Sequence, residues 1–241
     1  MNKVWIITKR ELNSFFDSLI AFIMIVLFLG FSGFFTWISG SDVFLVGQAS
    51  LRSFFGIAYW TLFFFIPALT MRMLAEEKKS GTIEMLLTKP VTDRQVILGK
   101  YFETLILIAV ALLLTLPYFI TIARIGNIDA GGTICGYLAL MLISAAYASI
   151  GLFSSSITSN QIVAFLTALF IGIFFHFLFQ VIASGLKGLL GQVINSLSMT
   201  VHFDSLSRGV LDSKDLIYFG SIILLGLFFT EVSLAKRNAY N

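Results

Sequence analysis

Long apolar runs dominate this chain, and the polar stretches between them recur at about the spacing of one bilayer crossing. Six runs approach the roughly 20 apolar residues that a helix needs to cross a hydrocarbon core; they fall near 19–38, 53–71, 101–123, 133–153, 162–184 and 216–235. The runs are continuous and lack the period-two alternation of a membrane barrel. The pattern predicts an all-α integral membrane protein with six transmembrane helices in a single domain. The first run is too long, and too poorly followed by a small-residue cleavage site, for a removable signal peptide. It is expected to stay as an anchor.

Two segments carry a different rhythm. In residues 1–17, Val4, Trp5, Thr8, Leu12, Phe15 and Phe16 fall within an arc of about 120° at helical spacing, opposite Lys3, Arg10, Asn13, Ser14 and Asp17, with Ile6 and Ile7 spoiling the pattern. An aromatic face opposite a polar one suits an interfacial elbow helix feeding the first span. In residues 185–215, Leu186, Leu189, Leu190, Val193, Ile194 and Leu197 recur on one helical face. Lys187, Gln192 and Asn195 interrupt it too often for a span, so an amphipathic helix is expected there, followed by the polar turn HFDSLSRGVLDSKD.

Between the second and third runs lies a polar island, Met71 to Lys100, holding Arg72, Glu76, Glu77, Lys78, Lys79, Glu84, Lys89, Asp93, Arg94 and Lys100. Within it, Ile83, Leu86 and Leu87 share a face, with Met85 alongside, predicting a short amphipathic helix after Gly81. Pro90 ends it, because the residue before a proline is biased away from the helical region. Thr92 and Gln95 have capping-box spacing, so a new helix is expected to open at Asp93 and run into the third span. The result is a compact knob at the membrane surface. An ordinary solvated loop has no need of an exposed Ile-Met-Leu-Leu cluster.

Composition agrees with the pattern: 58% of the 241 residues are hydrophobic and 12% charged, against about 25% charged in a soluble domain. With six crossings both termini share a side. Lys3, Lys9, Arg10, Arg72, Lys78, Lys79, Lys89, Arg94, Lys100, Lys236 and Arg237 then face one compartment, and Arg52, Arg124, Lys187, Arg208 and Lys214 the other. The positive-inside rule puts the larger set, both termini and the 72–100 segment in the cytoplasm. The 185–215 segment becomes extracytoplasmic. The net charge of +3 calls for no nucleic acid.

The apolar interior offers little chemistry. Pro67 and Pro117 should bend the second and third helices. Glu103, one turn after Lys100, can pair with it near the interface. His176 and Gln180 form an i,i+4 pair, the candidate intramembrane polar site, where a helix-to-helix hydrogen bond is favoured over a substrate contact. Cys135 reads as a packing residue. Neither H-E-x-x-H nor G-x-S-x-G occurs, and the two histidines, His176 and His202, are not placed together, so no catalytic or metal site is expected. An ion-coupled carrier would keep acidic residues or broken helices near the midplane.

The stretch EEKKSGTIEMLLTKPVTDRQVILGKY resembles the segment after the second transmembrane helix of ABC-2-type transporter permeases, where a Glu-rich run, Gly-Thr-x-Glu, Leu-Leu and Pro-Val precede Gly-Lys. The elbow, six spans and helix before the last span extend that resemblance to an ABC-2, or type V exporter-like, permease across the chain. HFDSLSRGVLDSKDLIYFGSIILLGLFFT is similar to the permease subunit of the gliding-motility-associated (Gld-type) ABC system.

The resemblance implies a non-catalytic permease in a bacterial inner membrane. It would be paired with a second permease subunit or its own copy above two copies of a separate ABC ATPase, which binds ATP and Mg2+. In the family this segment carries a coupling helix that docks on the ATPase. Mapped here, Glu76, Glu77, Lys78 and Lys79 orient the contact, Gly81, Thr82, Glu84 and Pro90 match its motif, and Ile83, Leu86 and Leu87 form its apolar anchor. The sequence agrees on one point: it contains no G-x-x-x-x-G-K-[ST] loop, so the chain supplies no nucleotide site of that kind. The load stays open between transport of a lipid-like substrate and force transmission to an extracytoplasmic partner, as does the alternative of an exporter or cofactor-maturation permease.

Overall fold

The computed structural model describes residues 3–38, 49–82 and 91–238. The expected short helix carrying Ile83, Glu84, Leu86 and Leu87, with its Pro90 stop, lies outside them.

Among the described residues the regular structure is helical, and six helical segments are long and apolar enough to cross a membrane: Leu19–Trp37, Arg52–Ser80, Asp93–Ile125, Ala130–Ser156, Gln161–Ser184 and Ser213–Lys236. They are numbered here with the shorter helices in chain order: α1 Lys3–Phe16, α2 Leu19–Trp37, α3 Arg52–Thr70, α4 Ala75–Ser80, α5 Asp93–Leu113, α6 Leu116–Ile125, α7 Ala130–Ser156, α8 Gln161–Ile173, α9 Phe179–Ser184, α10 Leu189–Asn195, α11 Met199–Ser207 and α12 Ser213–Asn238. The Thr92–Gln95 capping box that opens α5 is present, with both reciprocal bonds made.

Helix α7 is the centre of the bundle. It packs against α3, α5, α8, α11 and α12, and it is the most buried of the six crossing segments. Small residues allow that closeness, since helices in lipid gain little from the hydrophobic effect and depend on tight packing. At Gly151 an added Cβ would collide with the Thr70 side chain, so Thr70 of α3 packs directly on the α7 backbone there. The exposed large apolar side chains lie mainly on the outer helices, such as Phe22 and Val26 of α2 and Phe170 of α8.

The two prolines act differently. Helix α3 runs through Pro67 and stops one turn later at Thr70, with a turn over 71–74 before α4. The third crossing segment is broken at Leu114 and Thr115, and Pro117 sits in the first turn of α6, where its missing N–H is no loss.

Three expectations need correction. On α1 the buried residues are Ile7 and Thr8, while Trp5 is exposed; Ile7, which spoiled the amphipathic pattern, makes the contact with the bundle. A Cβ on Gly99 would come 2.5 Å from Ile7 Cγ2, so the glycine creates a seat that extends the packed side of α1 from Thr8, on the expected face, to Ile7. The helix expected across Leu186 to Leu197 is shorter, and α10 leaves Leu189, Leu190 and Val193 exposed. The stretch read as a polar turn begins inside α11, whose Met199, Phe203 and Leu206 repeat at i, i+4 and i+7 and are buried with His202. His202 explains why a polar-looking stretch packs inside. Its Nδ1 lies 2.6 Å from Asp215 Oδ1 and its Nε2 lies 2.7 Å from the Ser196 carbonyl oxygen, and its ring stacks on Tyr218 at 4.0 Å.

Candidate functional site: a pinned stem and a histidine at the opposite end

The stem that leads into the 83–90 stretch is α4. It begins after the break at 71–74, where helical bonding lapses and amide groups need other partners. Ser155 of α7 supplies them: its Oγ accepts from the Leu74 and Ala75 amides, each at 3.0 Å, and donates to the Met71 carbonyl at 3.0 Å. One hydroxyl thus holds both sides of the joint. Lys78 Nζ donates to the Ser156 carbonyl oxygen, which also accepts from Ser233 of α12 at 3.1 Å. Gly81 closes α4 in the left-handed region at φ 71°, where glycine carries no Cβ penalty.

Lys100 forms the second anchorage. It is 2% exposed, and its ammonium lies 2.7 Å from Glu77 Oε1 of α4 and 3.3 Å from Glu11 Oε2 of α1. The i,i+3 pair expected with Glu103 is therefore corrected: Lys100 binds Glu77 and Glu11, while Glu103 is buried on the same helix. Glu11 also pairs with Arg10. Burial works to raise the Glu11 carboxyl, but Lys100 and Arg10 outweigh it and hold the group below its ordinary value. Thr8 Oγ1 lies 3.1 Å from the Gly99 carbonyl oxygen, adding a polar contact beside the Ile7 seat. One cation ties three helices, and a buried ion pair of this kind is costly to break from one side.

The sequence-derived site residues therefore separate. Glu77 and Lys78 turn inward and hold the stem, Glu76 pairs with Arg72 at 3.4 Å, and Lys79 and Thr82 are exposed. Ile83, Glu84, Leu86, Leu87 and Pro90 lie outside the described residues. Ser155 and Glu11 carry roles that sequence reading missed. The Ser-Ser-Ser run at 154–156, closing an apolar helix, was the available signal for the first; no local signal marked Glu11.

His176 stands at the other end of the bundle, on a turn of π-helix at Phe174–Leu178 within the fifth crossing segment. Such turns widen the helix and recur at functional sites. Tyr59 and Tyr147 hydroxyls lie 2.7 and 3.0 Å from His176 Nδ1, and its backbone carbonyl accepts from Ser198 Oγ at 3.3 Å and Thr200 Oγ1 at 3.0 Å. This residue joins α3 and α7 by its ring and α11 by its backbone carbonyl. Gln180, expected to share the polar spot, is exposed and is not the ring's partner. Both residues border a recess of about 440 Å³ between α3, α11 and the fifth segment.

Among the described residues no cluster of His, Cys, Asp and Glu could hold a metal ion, and Cys135 is buried. No curated protein matches the sequence. The family description "ABC-2 family transporter protein" matches residues 42–235, spanning the crossing segments from α3 to α12 and the pinned stem between them. The chain is a multi-pass membrane permease that belongs to the ABC-2 family of transporter proteins.

Proposed function

We propose that this permease converts ATP hydrolysis on a separate ABC ATPase into movement of its bundle through the 72–100 segment, with that segment and both termini cytoplasmic in a bacterial inner membrane. The observation that carries this reading is the pinned stem: α4 is fixed to α7 by Ser155 and Lys78 and to α5 and α1 by Lys100. A push on residues 83–90 then reaches four helices through directed contacts. Leu86 and Leu87 supply the apolar anchor of docking, with Ile83 beside them, while Glu76 and Lys79 flank it. The ATPase is present in two copies and holds ATP and Mg2+; the permease pairs with its own copy or a second subunit.

Co-purification tests docking. The double substitution Leu86→Asp with Leu87→Asp is expected to lose the ATPase while the chain still inserts in the membrane. Normal recovery of the ATPase would refute the assignment.

The likeness of residues 202–230 to the gliding-motility permease supports a narrower reading, in which the complex transmits force to an extracytoplasmic partner. Mass spectrometry of the intact complex should then recover a subunit with a large domain outside the membrane. Recovery of the ATPase alone, with ATP turnover stimulated by a transported molecule, would favour the exporter instead.

A further inference from the structure

The recess beside His176 has a sorted lining. One face of α3 supplies Arg52, Gly56 and Trp60, and the opposite wall brings Phe177, Phe203 and Asp204. Along α3 the positions from Arg52 to Trp60 span about 12 Å at helical rise, so charge gathers at the mouth and aromatic surface lies deeper. Arg52 and Asp204 both border the mouth, yet no ion pair joins them within 4.0 Å. They flank a gap with opposite charges. Asp204 is drawn two ways: burial raises its carboxyl, and Arg208 and Arg52 oppose that. Below them, Trp60 and Phe177 approach at 5.4 Å between ring centroids, and both are partly open on the outer surface of membrane-crossing segments. Tyr59 stacks on Phe203 at 4.3 Å to form a rigid floor.

From this arrangement we infer that the recess binds the zwitterionic head of a phospholipid, its phosphate against Arg52, its ammonium against Asp204 and its upper acyl chain along Trp60 and Phe177. A single-sign ligand would leave one mouth residue facing like charge. A phosphate and ammonium joined by a short linker match both. The aromatic wall favours an attached chain, because its rings face the side of the bundle where lipid lies. A free phosphoethanolamine or phosphocholine head shares the chemistry without the chain. The inference concerns the end of the bundle opposite the stem, so its failure and the failure of ATPase docking are read in separate experiments.

Gly56 allows a direct test. A Cβ there meets nothing within 4 Å, so Gly56→Phe can start a bulky side chain at the wall of the recess. The chain has three tryptophans. With Trp5→Phe and Trp37→Phe substituted, the full chain in nanodiscs reports from Trp60 alone. Nitroxide on the upper acyl chain of phosphatidylethanolamine is expected to quench Trp60 more strongly than the same label on phosphatidylglycerol at equal mole fraction, by about two- to fivefold for one exposed ionic or cation–π contact. Asp204→Asn and Gly56→Phe should each abolish the preference, and Arg52→Gln should weaken quenching by both lipids. Equal quenching in the parent chain, or a preference unchanged in Asp204→Asn and Gly56→Phe, would overturn the inference. Competition by soluble glycerophosphoethanolamine would assign the site to the free head; a preference that persists against it would assign it to the lipid.

Discussion

The two ends of this bundle solve the same problem with different chemistry. At the stem, a buried ammonium joins three helices through two carboxylates; around His176, a ring and a backbone carbonyl join helices through four hydroxyl groups and stacked aromatics. Charge makes the first end intolerant of losing Lys100, because Glu77 would lose the cation that compensates its carboxylate. Neutral hydroxyls and rings can be rearranged at lower cost, each hydrogen bond contributing only about 0.5–1.5 kcal/mol net. A joint that must hold one geometry gains from the first property and an adaptable recess from the second.

The largest break in this comparison should come from Lys100→Met, which strands Glu77 and leaves Glu11 with Arg10 alone. A loss of about 3–5 kcal/mol is expected, read as a lower midpoint of thermal unfolding in detergent. Combining it with Glu77→Gln should recover part of the loss; a double variant no better than the single one would show that the pair was not the cause. Gly99→Leu comes next, since the seat of Ile7 has no room. Overpacking there should cost about 1–3 kcal/mol, and an Ile7→Ala partner should relieve it.

Ser155→Ala removes the acceptor shared by the Leu74 and Ala75 amides and should cost about 1–3 kcal/mol, with hydrogen exchange rising at those two amides. His176→Leu is expected to lose a smaller amount, about 1–2 kcal/mol, and to loosen the junction of α3 and α7 at Tyr59 and Tyr147 rather than α4. If it loosened the stem as much as Lys100→Met does, the two ends would not be separate.

The smallest effect is in pH, where two carboxyls outside the crossing segments have opposite signs. Glu11 is held below its ordinary 4.5, so its contribution is fully present above that value and is lost as pH falls through the lower folded-state value. Asp204 is raised by burial, so its ionised form is the burden, and acidification relieves it. Melts from pH 6 downward should therefore flatten at the acid end in Glu11→Gln. They should lose an opposing, stabilising component in Asp204→Asn.

The sequence displayed the crossing segments because about 20 apolar residues in a row admit few other readings, and it displayed the start of α5 because Thr92 and Gln95 cap it locally. It concealed what depended on distant partners. Ile7 looked out of place until Gly99 offered a seat, and α11 looked like a turn because Asp204, Ser205, Ser207 and Arg208 masked the repeat of Met199, Phe203 and Leu206. For the site, the charged island was visible but the direction of its side chains was not. Glu77 and Lys78 stand beside Glu76 and Lys79 in the chain, and only the fold sends the first two inward. His176 was legible as a polar spot, while its partners Tyr59 and Tyr147 sit in other spans where aromatic residues are common.

The Ser155 joint also bears on how the protein is made. The amide of Leu74 waits for an oxygen 81 positions further along the chain. Spans α2, α3 and α5 can therefore enter the membrane before the stem has its native angle. Until the ribosome has delivered the last turn of α7, the stem can be held by Lys100 but not by Ser155. A chain truncated before Ser155 should insert normally yet keep only the Lys100 half of the joint.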